Sequence, residues 1–116
     1  MSGLSPVVED QAIGAVRGGW TAVHVVAPDG ATVGMGRVIG DGGWYFHIVD
    51  MAVLPDHQRR GLGDAILRSL LERIRADAPR GAYVNLLADP PGRSLYARHG
   101  FAETAPSSVG MALRLG

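Results

Sequence analysis

Residues that could bind an anion are concentrated in one short loop of this chain. The loop reads Gln58-Arg59-Arg60-Gly61-Leu62-Gly63 and lies between an apolar run and a helical pattern. Glycines let main-chain N–H groups approach a ligand closely, and the first turn of a helix leaves four N–H groups unpaired at the positive end of its dipole. The loop therefore predicts a site for a phosphate or a diphosphate.

Residues that could transfer protons lie on either side of this loop. His47 and Asp50 precede it in an apolar run, and Tyr96 follows it. A histidine side chain suits proton removal near neutral pH, and a tyrosine hydroxyl can supply a proton. Strand alternation places Asp50 on the opposite face from His47 unless a bulge intervenes. The residues leave three candidate bases open: His47, Asp50, or a water relay that uses neither.

Composition narrows the class of protein. The 116 residues fit one domain spanning 1–116, and 47% hydrophobic with 19% charged residues is ordinary for a globular protein. Eleven basic residues balance eleven acidic ones, which argues against a general nucleic-acid binder. The absence of cysteine excludes disulfides and a thiol nucleophile, and four scattered histidines predict no metal site. No apolar run is long enough to span a membrane and Met1–Asp10 lacks a leader pattern, so we expect a cytoplasmic protein.

Hydrophobic periodicity predicts the elements that hold these residues. Val8, Ala12, Ile13 and Val16 share a helical face, which predicts a helix over Val7–Arg17 stopped by Gly18-Gly19. Three antiparallel strands should follow, over Trp20–Val26, Ala31–Ile39 and Trp44–Val53. An amphipathic helix should begin after the loop at Leu62 and end at Ala78–Gly81.

The rest of the chain predicts a mixed sheet. Tyr83–Ala88 is a nearly continuous apolar run, as in a strand buried on both faces, and it should lie parallel to the Trp44–Val53 strand. Arg93–His99 predicts a short helix, and Phe101–Thr104 and Val109–Leu115 predict short strands. The expected fold class is α+β, or mixed α/β, with a mostly antiparallel sheet, one parallel pair and flanking helices.

Two motifs in this order resemble those of a known superfamily. The loop is neither a P-loop nor a Gly-x-Gly-x-x-Gly fingerprint. Its Gln-x-x-Gly-x-Gly, after a strand ending in Val53-Leu54-Pro55, resembles the pyrophosphate-binding segment of the GNAT superfamily of acetyl-CoA-dependent N-acetyltransferases. Ser94–Phe101, with Tyr-x-x-x-Gly-Phe on a short helix, resembles the later motif of that superfamily. Gly34–Val38 is similar to a segment of its small bacterial members.

The resemblance implies a position for the cofactor, acetyl-CoA. The two parallel strands should splay apart, and the pantetheine arm of acetyl-CoA should pair in the gap with backbone at Met51, Ala52 and Val53. The pyrophosphate should be held by the backbone N–H groups of Gln58, Arg59, Arg60, Gly61, Leu62, Gly63 and Asp64.

The resemblance also implies catalytic roles. Tyr96 matches the tyrosine that protonates the departing CoA thiolate, and Phe101 matches the aromatic residue that packs behind it. His47 lies near the position where histone-acetylating members place a glutamate.

The implied function is transfer of an acetyl group from acetyl-CoA, by direct attack on the thioester, to a primary amine of a small molecule or peptide. The alternative is a non-catalytic acyl-CoA-binding or sensing module that binds a partner. Two features depart from the superfamily pattern: the Asp64 carboxylate beside the predicted diphosphate, and a region of about 19 residues before Trp20 that is shorter than usual. Because the superfamily usually builds the pocket for the acceptor amine from this region, we expect that pocket to be open, to be completed by a second subunit in a homodimer, or to be shaped for a bulky substrate.

Overall fold

The computed structural model describes residues 5–9 and 19–116. Five strands are found there: β1 (Ser5–Glu9), β2 (Gly19–Val26), β3 (Thr32–Gly40), β4 (Tyr45–Val53) and β5 (Tyr83–Leu86). Two α-helices accompany them, α1 (Leu62–Asp77) and α2 (Arg93–Arg98), with 3₁₀ turns at Pro55–His57 and Pro90–Gly92. The chain divides into two compact units, Met1–Leu86 and Leu87–Gly116.

The first unit is built on one sheet whose strands follow in chain order, β1-β2-β3-β4-β5. The pairs from β1 to β4 are antiparallel, and β4 pairs with β5 in parallel. Helix α1 makes the connection between the two parallel strands, as the strand-helix-strand order predicted. The expected mixed sheet with one parallel pair is confirmed.

The core lies between this sheet and α1. The helix packs against β2, β3 and β4 with the apolar stripe that its three- and four-residue spacing produces. Alternate residues of the strands meet it from the sheet. The buried apolar side chains are Val23, Val25, Val33, Val38, Phe46, Ile48, Leu62, Ile66, Leu67, Leu70, Leu71 and Ile74.

The turn between β3 and β4 is fixed by one carboxylate. Asp41 Oδ1 accepts hydrogen bonds from the amides of Gly43, Trp44 and Tyr45, at 2.8, 2.9 and 3.1 Å. These bonds favour the charged form and hold the pKa of Asp41 below its ordinary value, the bond from Gly43 most of all. The turn therefore sets the point at which β4 begins, two residues before His47.

One buried hydroxyl in the core gives a stability prediction. Thr21 on β2 is 3% exposed, and its Oγ1 has no hydrogen-bond partner among the described residues. Because an unpaired buried polar group keeps its desolvation cost, Thr21→Val should raise the free energy of unfolding by about 1 kcal/mol in urea denaturation.

The matched control is the reverse substitution two residues along the same strand. Val23 is 1% exposed, so Val23→Thr should lower the free energy of unfolding by about 1–3 kcal/mol. A loss of stability in Thr21→Val would mean that the Thr21 hydroxyl has a partner in solution.

The prediction for the N-terminal region was wrong where it can be compared. Ser5–Glu9 form β1, antiparallel to β2 with Val7 opposite His24, so no helix begins at Val7. β-Branched neighbours favour an extended backbone, and Pro6 is tolerated because β1 is at the edge of the sheet. Gly19 begins β2 instead of stopping a helix. Residues 10–17 of the predicted helix and Gly18 lie outside the described residues.

The predictions for the C-terminal strands were also wrong. Neither Phe101–Thr104 nor Val109–Leu115 is a strand, and the alternating Val109, Met111, Leu113 and Leu115 are 67–92% exposed. Alternation predicts a strand only where a neighbouring backbone completes the ladder, and the described residues provide none here.

The strand predicted over Tyr83–Ala88 is shorter and less buried than expected. It ends at Leu86, and Tyr83 at its start is 42% exposed. The apolar run therefore does not mark a strand that is buried on both faces.

Candidate active site

The loop after β4 leaves the strand in a fixed direction. Leu54 donates its amide to the Val33 carbonyl at 2.8 Å, and His57 donates to the Leu54 carbonyl at 2.8 Å. The Gln58 side chain then reaches back, with Nε2 donating to the Val53 carbonyl at 3.0 Å. These bonds hold the 3₁₀ turn against the end of the sheet. The loop that follows the turn leads into the start of α1.

The backbone of this loop offers a row of hydrogen-bond donors. Arg59 and Gly61 have left-handed backbones, with φ of 65° and 77°, and α1 begins directly afterwards at Leu62. The Ala65 amide donates to the Gly61 carbonyl at 3.0 Å and so closes the first helical turn. The amides of Arg59–Gly63 donate to no acceptor in the described part of the chain. These amides, at the positive end of the helix dipole, suit an anion.

The charges around these amides match an anion as well. Arg59 and Arg60 are exposed, and neither forms an ion pair with a described residue. Asp64 lies in the first turn of α1, half-buried. Gln58 differs from its neighbours, because its own amide donates to the Pro55 carbonyl at 3.4 Å. Gln58 instead stabilises the loop through the hydrogen bond from its side chain to the Val53 carbonyl.

The two parallel strands are paired over only four residues. The ladder runs from Tyr45 opposite Tyr83 to Ile48 opposite Leu86, where β5 ends. β4 continues to Val53, so 49–53 have no partner in β5. This part of β4 includes Met51, Ala52 and Val53 and leads into the loop.

A bulge lies in β4 just beyond the ladder. Arg37 pairs with Val49 and Met35 with Ala52, which leaves Asp50 and Met51 opposite the single residue Gly36. At this extra residue Asp50 has a left-handed φ of 56°. The bulge reverses the alternation of β4, so the face of each later side chain could not be read from spacing.

The glycines of β3 allow the helix to approach this bulge. A Cβ on Gly36 would lie 2.6 Å from Met51 Sδ and 2.7 Å from Ile66 Cγ2. Only a residue without a side chain fits between β4 and α1 at that point. The Gly34-Met35-Gly36 sequence is therefore explained by packing next to the site.

His47 lies at the last part of the ladder before the strands part. Its neighbours Phe46 and Ile48 are buried towards α1, so His47 is on the opposite face of the sheet, half-buried. Directly across the parallel pair is Asn85, whose Oδ1 lies 2.5 Å from His47 Nδ1. The sequence analysis did not select Asn85 as a site residue, although it is the one polar residue inside the apolar run Tyr83–Ala88.

Asp50, the other candidate base, is held in an ion pair. Arg37 Nε donates to its Oδ2 at 2.6 Å, and the two side chains are 31% and 55% exposed. Arg37 pairs with Val49, so the bulge turns Asp50 towards the face that Val49 and His47 share. This is the bulged alternative that simple alternation left open. The guanidinium therefore occupies one of the two carboxylate oxygens.

Tyr96 belongs to the second unit, Leu87–Gly116. It lies on α2, which is followed by Gly100 with φ of 93°, and its ring meets Phe101 edge-on at 6.1 Å between centroids. The two rings are therefore in contact, as the resemblance to the superfamily implied for an aromatic residue at position 101. Burial raises the pKa of Tyr96 above its ordinary value, and the negative charge of Asp89 adds to the effect. Tyr96 therefore keeps its proton at neutral pH.

Comparison with known proteins identifies the family. Residues 19–103 match the family model described as an acetyltransferase (GNAT) domain. The chain belongs to the GNAT acetyltransferase family. An uncharacterized N-acetyltransferase of Pyropia yezoensis is 30% identical over 79 residues, which cover 68% of this chain and 44% of that protein. The chain thus spans less than half the length of the curated relatives it matches.

Solved structures agree with the family assignment. A Staphylococcus aureus protein described as a probable acetyltransferase is 29% identical, with a TM-score of 0.85 over 97% of this chain and 99% of that one. An acetyltransferase of Trypanosoma brucei shares the fold, with a TM-score of 0.75, 22% identity, and coverage of 97% of this chain and 99% of that one.

Across 5–9 and 19–116, no group of three or more histidine, aspartate or glutamate side chains is placed to hold a metal ion. Within the same ranges, none of the helices combines the length and apolar character of a membrane span.

Proposed function

We propose that this GNAT domain is an acetyl-CoA-dependent N-acetyltransferase that acetylates a primary amine. The observation that carries the proposal is an unpaired backbone edge: β4 runs past its ladder with β5 and leads directly into amides that donate to no described acceptor. An extended ligand with amide groups along its length and a diphosphate at its end would satisfy both parts.

The residues that would hold acetyl-CoA follow from this edge. The amides of Arg59–Gly63 and the two exposed guanidiniums would bind the diphosphate. The unpaired stretch at Met51, Ala52 and Val53 would bind the pantetheine arm as a neighbouring strand would. When bound, acetyl-CoA supplies an acetyl group already activated as a thioester.

His47 would act as the general base. An amine attacks only in its neutral form, so a group near it must take the proton. His47 is half-buried at the point where the strands part, on the face of the sheet opposite α1. Asp50 is the weaker candidate, because Arg37 already occupies one oxygen of its carboxylate.

The acceptor would be a small molecule or a peptide that carries a primary amine. The formal net charge is zero, so no long-range attraction to nucleic acid or to an anionic membrane is expected. We also propose that the protein acts in the cytoplasm. Acceptor specificity would depend on side chains at the face of His47.

Two measurements on the 116-residue chain test the proposal. Calorimetry with acetyl-CoA should show binding, and a panel of amines should contain at least one that releases free CoA thiol. Binding without turnover on any amine would favour the acyl-CoA-binding module. Absence of binding would contradict both functions.

Tyr96 is proposed as the acid that protonates the departing thiolate. A tyrosine is protonated at neutral pH, and burial raises the pKa of Tyr96 further above its ordinary value. Tyr96→Phe should therefore lower kcat for CoA release by about 10²-fold or more, while acetyl-CoA affinity changes little. The matched control, Tyr83→Phe, removes the same hydroxyl from β5 and should leave kcat within a factor of about 2. Equal rates for the two variants would exclude Tyr96 as the acid.

A further inference from the structure

We propose that Asn85 is a positioning residue that holds His47 in one tautomer, with the proton on Nδ1 and the basic lone pair on Nε2. The inference rests on the proposed function only in giving His47 a role as base. The geometry itself comes from the parallel register, which places His47 and Asn85 directly opposite each other.

The orientation of the Asn85 amide is set by its neighbours. Its Nδ2 lies 3.4 Å from the Phe46 carbonyl, which can only accept a hydrogen bond. Its other atom, Oδ1, therefore faces His47 Nδ1 at 2.5 Å and the Tyr45 hydroxyl at 3.4 Å. The reverse orientation would bring an NH₂ group to His47 and set Oδ1 against the carbonyl oxygen of Phe46.

An oxygen at this position decides which ring nitrogen carries the proton. A carbonyl oxygen accepts, so Nδ1 of His47 must donate, and in a neutral imidazole the other nitrogen is then unprotonated. Nε2 can take a proton from the acceptor ammonium, giving a neutral amine and an imidazolium. Throughout this transfer Nδ1–H remains bonded to Asn85, so the ring need not turn.

Among the described residues, only Asn85 accepts a hydrogen bond from the His47 ring. Tyr45 donates its hydroxyl hydrogen to the same Oδ1 and makes no hydrogen bond to the His47 ring within the described residues. Asp50 follows three residues later on β4, and its carboxylate already accepts a hydrogen bond from Arg37. The described residues form no other hydrogen bond to the His47 ring. Without Asn85, the tautomer protonated at Nε2, which a histidine side chain favours in water, would become populated.

The test reads the tautomer directly. Nitrogen NMR of histidine-labelled protein, with His47 assigned by loss of its signals in His47→Gln, should show Nδ1 protonated and Nε2 unprotonated at a pH where the ring is neutral. Asn85→Ala should move the population towards Nε2–H. Tyr45→Phe, the matched control on the same network, should leave the Nδ1–H tautomer in place.

Activity gives a second readout. Asn85→Ala should lower kcat roughly 10- to 100-fold with little change in KM for acetyl-CoA, the range seen when a partner that orients a metal-binding histidine is removed. Asn85→Asp keeps an acceptor opposite Nδ1 but adds a negative charge that favours the imidazolium. This variant should retain the Nδ1–H tautomer and move the acid limb of the rate–pH profile to higher pH.

The outcomes separate this inference from the proposed function. An unchanged His47 tautomer in folded Asn85→Ala would overturn the inference, whatever happens to the rate. A changed tautomer with a wild-type rate would support the hydrogen bond and overturn His47 as the base. If Asn85→Ala does not fold, Asn85→Asp decides, because a loss of the Nδ1–H tautomer in that variant would contradict the role of the acceptor.

Discussion

Replacing His47 by glutamine is expected to lower kcat for acetyl transfer by about 10²- to 10⁴-fold, the usual contribution of a general base. Glutamine keeps a polar side chain of similar reach at the end of the parallel ladder but cannot take a proton. KM for acetyl-CoA should change little, because the amides proposed to hold the cofactor lie on the loop after β4. Initial rates of thiol release across pH would measure the effect, and the acid limb of the profile should disappear.

His24→Gln is the matched control for this substitution. His24 lies on β2 between the buried Val23 and Val25, so it is on the same sheet face as His47, two strands away. It should keep kcat within a factor of about 2. If His47→Gln loses less than about 3-fold, a water relay or Asp50 is the base, and Asp50→Asn would then distinguish those two alternatives.

Replacing Gly61 by valine is expected to weaken acetyl-CoA binding by about 10- to 100-fold. Gly61 has φ of 77°, and a Cβ there would meet no protein atom within 4 Å, so the substitution causes no clash inside the fold. A β-branched residue is strained at this φ by about 1–3 kcal/mol, which corresponds to roughly 5- to 150-fold in affinity if the loop must be held in place to bind. Calorimetry with acetyl-CoA measures the change directly.

Gly30→Val provides the control with the same backbone strain elsewhere. Gly30 has φ of 88° in the turn between β2 and β3, and a Cβ there also meets nothing within 4 Å. Both variants should lower the thermal midpoint by similar amounts, while only Gly61→Val weakens binding. Equal affinities in the two variants would remove the loop from the cofactor site.

The predictable part of the fold consists of elements with strong local signals. The helix from Leu62 to Asp77 follows from apolar spacing at three and four residues, and its start at a glycine loop follows from the sequence itself. The hairpins of β2, β3 and β4 follow from alternating runs separated by Asp- and Gly-containing turns. The same rules failed at Val109–Leu115, where the pattern is clear but no neighbouring strand completes a ladder.

The candidate site was predictable only in its parts. The loop Gln58–Asp64, His47 and Tyr96 could be selected because their residue types limit the chemistry that they can do. Asn85 could not be linked to His47, because the two are 38 residues apart and meet only through the register of β4 and β5. The engagement of Asp50 by Arg37 likewise required the bulge opposite Gly36.

The sequence by itself determined the order of the main elements, the anion-binding character of the loop and the residues able to move a proton, because each depends on side-chain type and on contacts within a few residues. Only the tertiary structure decided where β4 parts from β5, which face Asp50 turns to and which nitrogen of His47 is bonded. Those features depend on the register between strands distant in the chain. That register is set by how the whole sheet packs on its helix and not by any local pattern.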